Sequence, residues 1–345
     1  MEALTCRERV LRAINFESPD KIPLAVGIDL PELFRYGQRF IDLYRKYPND
    51  FSAPESLKIP PRDEEHYRPD GSYYREYTDG WGSAWVSLEQ GFSGEVVKPV
   101  LDDWSKLKTL KCPPVADSSP ADRERSREAM KKQKETYVAL RSGGSLFQTM
   151  TDLRGMENCL MDIASDCDGV HELADMLLQR ALTSIEIALD VGVEVIRFAD
   201  DWGTQHQLFI NPISWRRIFK PRYKKMFDLV HQGGAVPWMH SCGRTMEIVP
   251  DWIEIGLKVL EPQLACMDMR ELQRMAAGKL CIDGSLDFQR TLPFGTPEQV
   301  REYIREVTAI FGSSQGGFMY QLYLCDSSVE NAEAALQTIY EVRNL

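Results

Sequence analysis

Val193-Glu194-Val195-Ile196-Arg197-Phe198-Ala199, continued at once by Asp200-Asp201-Trp202-Gly203-Thr204-Gln205, is a short apolar run that stops at a polar, glycine-containing segment. A run of this length between long amphipathic stretches reads as a buried strand of a parallel sheet, handing its carboxylates to the C-terminal end. The pattern recurs on both sides. Tyr137 to Gly143 precedes it, and Ala235 to Met239, Lys258 to Leu260, Lys279 to Ile282 and Phe318 to Leu324 follow, each continued by a helix-length amphipathic segment. Ile22 to Gly27 adds a seventh unit near the N-terminus.

Such alternation is the signature of βα units, and seven of them with right-handed connections fit a closed barrel better than an open sheet. The count alone leaves a doubly wound fold open, but no GxGxxG fingerprint follows any of the runs. The expected fold is therefore a (β/α)8 TIM barrel, a single domain over residues 1–345, with its eighth strand hidden near an insertion. That insertion spans about residues 40–100. Its Gly71 to Tyr77 and Ser83 to Val86 stretches alternate with period two, which predicts hairpins and loops at the barrel mouth. Cys6 to Phe16 carries Val10, Leu11 and Ile14 at helical spacing, and Ala116 to Lys134 reads as a solvated surface helix.

Composition narrows the function classes. With 43% hydrophobic and 27% charged residues the chain has ample apolar material for one large core. A net charge of −11 argues against a nucleic-acid partner, which would need clustered Lys and Arg. No stretch approaches the roughly 20 apolar residues of a membrane span, and Met1 to Glu17 is charged and amphipathic unlike a signal peptide, so the expected location is cytoplasmic. Eight cysteines, sparse and irregular, are no disulfide scaffold.

In a barrel the chemistry sits where strands end and βα loops begin. The residues there are Asp29; Asp200, Asp201 and Gln205; His240 and Cys242; Glu261 and Gln263; Asp283; and Cys325 with Asp326. Any one alone reads equally as a cap or turn. His240, Cys242 and Cys325 together offer one imidazole and two thiolates, the donor types of a zinc site with an open fourth position. Residues two apart on a strand share a face, so His240 and Cys242 leave theirs on the same side. Asp200, Asp201 and Gln205 are the candidate catalytic residues, with a helix-capping turn as their plain alternative. Asp29, Glu261, Gln263 and Asp283 are candidate substrate contacts, and Glu261 is also a candidate fourth metal ligand.

Phe198 to Gln205, Ile210-Asn211-Pro212-Ile213-Ser214-Trp215, Phe219-Lys220-Pro221, His240-Ser241-Cys242-Gly243, Asp283-Gly284 with Asp287, and Pro293 to Val300 form an ordered set. That set resembles the uroporphyrinogen decarboxylase-like superfamily from the Arg7 helix to the C-terminal helix. The resemblance implies a barrel with its active site at the C-terminal mouth. Porphyrin decarboxylases of that superfamily carry an arginine-rich motif after the first strand, where this chain has Ala25-Val26-Gly27-Ile28-Asp29-Leu30. A polyanionic tetrapyrrole would find no charge partner there, and Asp29 would repel it. The methyltransferase branch, similar to methylcobalamin:coenzyme M methyltransferases, holds zinc with a His-x-Cys pair and a distant C-terminal Cys, and His240, Cys242 and Cys325 match that pattern. The resemblance thus implies zinc, a small methyl donor or acceptor, and a corrinoid carried by a partner protein. The aromatic insertion around Tyr73, Tyr74, Trp81 and Trp85 is its candidate docking surface. Two rivals stand beside this reading: a metal-free decarboxylase using Asp200 or Asp29, and a non-catalytic corrinoid-binding protein.

Overall fold

The structure, a computed structural model, describes residues 4–344. The expectation for Met1 to Glu17 therefore falls partly outside the described residues. The strands are β1 (Leu24–Gly27), β2 (Arg75–Thr78), β3 (Ala84–Ser87), β4 (Glu95–Lys98), β5 (Leu140–Gly144), β6 (Val195–Ala199), β7 (Val236–Ser241), β8 (Val259–Pro262), β9 (Cys281–Ser285) and β10 (Phe318–Tyr323). Seven of them form one parallel sheet in the order β1-β10-β9-β8-β7-β6-β5, wrapped by helices into a TIM-barrel-like α/β fold. These are the seven runs expected from the sequence.

The helix Cys6–Asn15 closes the N-terminal end of this sheet. Thr5 and Glu8 form a reciprocal capping box at its start, and Val10, Ala13 and Ile14 turn inward at helical spacing. Those three pack on Val195, Val259, Cys281 and Met319, which come from the first residues of four strands. Burying Val10 and Ile14 is worth about 1.5–3 kcal/mol each. The opposite, C-terminal end is left for chemistry.

The eighth strand does not form among the described residues. Its place beside β1 is taken by an irregular segment around Asp50, whose backbone N–H donates to the Leu24 carbonyl at 2.8 Å while its carboxylate accepts from the Leu24 N–H at 2.9 Å. One residue thus satisfies both outward backbone groups of Leu24 on the free edge of β1. The same carboxylate is held by Arg9 at 2.6 Å and by Arg343 from the last helix, and all three side chains are buried. This segment carries no period-two apolar pattern because an ion network, rather than a ladder, fixes it.

The insertion also differs from expectation. Residues Gln38–Lys46 are helical, with Phe40, Ile41, Leu43 and Tyr44 buried on one face, and extended structure is confined to β2, β3 and β4. Loops beside that antiparallel sheet lie near both edges of the parallel one. Gly91 lies against Leu30, just after β1, and Trp81 lies beside the end of β5. The charged segment is the helix Pro120–Gln133, with only Met130 buried, as its sequence implies.

Candidate functional site

Two loops interlock at the C-terminal rim. Gly203, after β6, donates to the Cys242 carbonyl at 3.2 Å, and Arg244, after β7, donates to the Thr204 carbonyl at 2.7 Å. The backbones are so close that a Cβ on Gly203 would fall 2.5 Å from Arg244 N, and one on Gly243 would fall 2.0 Å from the Gly203 carbonyl. Gly243 also has φ +76°, so two separate constraints demand glycine there. Trp202 anchors the first loop, fully buried and stacked on Phe147 at 4.5 Å between ring centres. Ser241 braces it from the second loop, its Oγ accepting from the Trp202 N–H at 3.1 Å.

This interlock brings Asp201 to His240 and Cys242. His240 Nε2 lies 3.4 Å from Cys242 Sγ and 3.6 Å from Asp201 Oδ1, and the Cys242 N–H donates to Asp201 Oδ1 at 2.9 Å. The three ligand atoms all lie within 4.8 Å of one another. Nitrogen, sulfur and oxygen donors converging in this way are a set that zinc accepts. Burial first, and then the Asp201 carboxylate, push the Cys242 thiol well above its ordinary range, a balance that a divalent cation would reverse.

Below the imidazole lies a buried charge cluster. Glu261, on β8, is fully buried and sits 3.0 Å from His240 Nδ1, off the line of an ideal hydrogen bond. Arg197, on β6, clamps its carboxylate with bonds of 2.9 and 2.5 Å to Oε2 and 2.7 Å to Oε1, and the Tyr323 hydroxyl donates to Oε1 at 2.8 Å. Burial pushes Glu261 up, but His240 and Arg197 outweigh it and hold the carboxyl below its usual range. Gly27 makes room for this arrangement, since a Cβ there would collide with the Tyr323 ring at 2.8 Å. Asp283, on β9, is fully buried with neither oxygen hydrogen-bonded, and burial together with the Glu261 charge pushes it well above the carboxylate range.

The remaining expected residues lie elsewhere. Asp200 is buried and caps the helix Phe147–Arg154: its carboxylate accepts from the N–H groups of Leu146, Phe147 and Gln148 at 2.8, 3.1 and 2.7 Å and from the Tyr223 hydroxyl. Burial still raises it to about 6, against the pull of those donors. Cys325 donates its thiol to Asp29 Oδ2 at 2.6 Å and does not join the His240 group within 4.8 Å. Gln263 bridges outward, donating to Cys242 Sγ at 3.2 Å and accepting from Gly243 N–H at 2.8 Å. Gln205 is exposed, bonded to Gln289 and Arg290, on the rim of a cleft of about 370 Å³ that Cys266 and Tyr303 also line. Arg197 and Tyr323 were not singled out from the sequence. The signal for Arg197 was present as a lone cation inside an apolar strand; Tyr323 gave none, because a tyrosine in a buried strand is ordinary core.

A methyltransferase from Methanosarcina mazei superposes with a TM-score of 0.61 at 16% identity, covering 98% of this chain and 99% of that one. A 3-keto-L-gulonate-6-phosphate decarboxylase from Vibrio cholerae aligns over 64% of this chain and 80% of its own, at 8% identity and a TM-score of 0.32. A xylose isomerase domain protein from Alicyclobacillus acidocaldarius aligns over 64% and 82%, at 12% identity and a TM-score of 0.34. No curated protein matches the sequence. No helix among the described residues is long and apolar enough to cross a membrane. The family model for uroporphyrinogen decarboxylase (URO-D) matches residues 87–341, a span that runs through every barrel strand after the first and both interlocking loops, and the chain belongs to that family.

Proposed function

We propose that this protein is a zinc-dependent methyltransferase of the cytoplasm, moving a methyl group between a small methylated substrate or thiol and a corrinoid carried by a separate protein. The observation that carries the reading is the convergence of His240 Nε2, Cys242 Sγ and Asp201 Oδ1 within 4.8 Å. The end of β1 and the turn that follows it support it, because Ala25-Val26-Gly27-Ile28-Asp29-Leu30 gives a polycarboxylate substrate no cation to bind. His240 and Cys242 would hold the metal. Asp201 is the third donor favoured by proximity, and Cys325 is the thiolate that the resemblance adds, once it leaves Asp29. Zinc there supplies Lewis acidity, which keeps a thiol deprotonated or polarises a methylated heteroatom at neutral pH.

The chain's own residues prepare the site. Glu261 orients the imidazole from its far nitrogen, leaving Nε2 aimed at Cys242 and Asp201. Arg197 and Tyr323 hold Glu261 ionised and fixed. Asp201 fixes the backbone of Cys242, and Gln263 donates to its sulfur. Asp283, its carboxyl pushed upward by burial and by the Glu261 charge, lies beneath them on β9 with both oxygens free of partners among the described residues. Asp200 acts at a distance, as a positioning residue that locks the start of β6's loop. The rival decarboxylase with Asp200 as its acid is disfavoured, since that carboxylate is buried and already accepts four hydrogen bonds.

Zinc content and single-turnover methyl transfer to cobalamin test the proposal together. His240→Ala and Cys242→Ser are expected to lose both while staying folded. Cys325→Ser and Asp201→Asn then identify the third ligand: the one that loses zinc holds it. Purified wild-type protein that takes up no stoichiometric zinc would overturn the metal centre, and zinc-loaded protein inert toward cobalamin with every methyl donor tried would overturn the reaction.

A further inference from the structure

The end of β5 faces the helix Asp168–Asp190 across a cavity of about 310 Å³ that no residue of the His240 group lines. Leu177, Arg180, Ala181 and Ser184 line one side of it at the three- and four-residue spacing of a single helix stripe. Ser142 and Gly144 line the other, and Trp81 of the insertion borders it. Arg180 donates to the Pro114 carbonyl at 3.3 Å and lies 5.7 Å from the centre of the Trp81 ring, but has no ion-pair partner among the described residues. Its Nε is buried with no acceptor. In a chain of net charge −11, a half-buried guanidinium without a carboxylate is an unusual vacancy for an anion.

Other donors face the same space. Ser142 Oγ accepts from the Gly144 N–H at 3.2 Å, which leaves its proton to give, and the Ser184 hydroxyl makes no hydrogen bond among the described residues. Gly144 has φ +80°, and a Cβ there would meet nothing within 4 Å, so the backbone opens onto free volume. The nearby helix Phe147–Arg154 adds nothing, because Asp200 consumes its first N–H groups. We infer that this cavity binds a small phosphorylated compound, with the phosphate on Arg180, Ser142 and Ser184 and the carbon portion against Leu177, Ala181 and Trp81. Donors approaching from two walls suit a tetrahedral oxyanion better than a planar carboxylate. The volume is about ten times the roughly 30 Å³ share of one water, so it takes more than a bare phosphate.

This site is independent of the methyltransferase reading. Isothermal titration of the full-length protein with glycerol 3-phosphate, inorganic phosphate and acetate, at matched ionic strength, tests it. Glycerol 3-phosphate is expected to bind most tightly, inorganic phosphate more weakly, and acetate not measurably. Arg180→Gln should weaken phosphate binding at least tenfold and Arg180→Lys less, with zinc content unchanged in both. Ser184→Leu fills the cavity without touching the charge, and should abolish binding even if Arg180→Gln does not fold. Wild-type protein that fails to discriminate glycerol 3-phosphate from acetate, or Ser184→Leu protein that binds like wild type, would overturn the site.

Discussion

Replacing Asp50 by Asn removes the one carboxylate that Arg9, Arg343 and the edge of β1 share. Arg343, with a side chain 2% exposed, is then left with the Ile22 carbonyl alone, while Arg9 keeps Asp20 at 2.6 Å. Stranding a buried charge of this kind costs about 3–5 kcal/mol. The asparagine oxygen can still accept from Leu24, so that hydrogen bond is not counted as lost. For 345 residues, at roughly 2.1 cal/mol/K each, the unfolding entropy near the melting point is about 0.7 kcal/mol/K. The expected drop in Tm is therefore about 4–7 °C, read by calorimetry or by circular dichroism at low scan rate. Removing both charges, as in Asp50→Leu with Arg343→Met, should recover much of the loss, because the stranded ion rather than the missing pair is what destabilises. A single Asp50→Asn variant that melts within about 1 °C of wild type would refute the claim that this network stands in for the eighth strand.

Asp200 has its folded-state carboxyl raised to about 6 from an ordinary 3.8, so the folded protein binds the proton more tightly and stability falls as pH rises from about 4 to about 6. Asp200→Asn abolishes that titration, so its stability deficit relative to wild type should shrink by about 1.4 kcal/mol between pH 5 and pH 8 in urea melts; a deficit that grows would reverse the assignment. Glu261→Gln should lower zinc affinity about 10–100-fold in a competition assay with a chromogenic chelator, since it unlocks His240; unchanged affinity would remove Glu261 from the site. Gly203→Ala forces apart backbones that would meet at 2.5 Å, and both zinc affinity and Tm should fall together. Full zinc binding by that variant would show that the loop contact does not position Asp201.

The parallel sheet was legible because most of its strands are short, predominantly apolar runs set between long amphipathic segments, and burial on both faces leaves a composition signal. Where a charge network replaces a strand, as at Asp50, no such signal exists, and period reading fails. The helix Gln38–Lys46 shows the opposite case. Its apolar residues at Phe40, Ile41 and Tyr44 do follow helical spacing, but the aromatic, glycine-rich sequence beyond it invites extension of the hairpin reading too far upstream. At the site, His240 with Cys242 was readable from two-residue spacing, a local property. The pairing of Cys325 with Asp29 joins residues 296 positions apart, and the Arg197–Glu261 clamp joins residues 64 apart, so only the folded chain decides them.

The two signature segments also divide into parts with different physical duties. In Asp200-Asp201-Trp202-Gly203, the first carboxylate caps a helix, the indole fills an aromatic cluster and the glycine admits the neighbouring backbone, which leaves Asp201 as the residue facing His240 and Cys242. In His240-Ser241-Cys242-Gly243, Ser241 and Gly243 join the loops, while His240 and Cys242 face Asp201. Five of these eight positions therefore build the rim whatever reaction occurs there. A chain could keep the whole architecture and change its chemistry by altering the other three, so the family signature argues strongly for the fold and only weakly for the metal. The case for zinc rests instead on the donors themselves: an imidazole oriented from behind by a clamped carboxylate, with a sulfur and an oxygen within 3.6 Å of its free nitrogen.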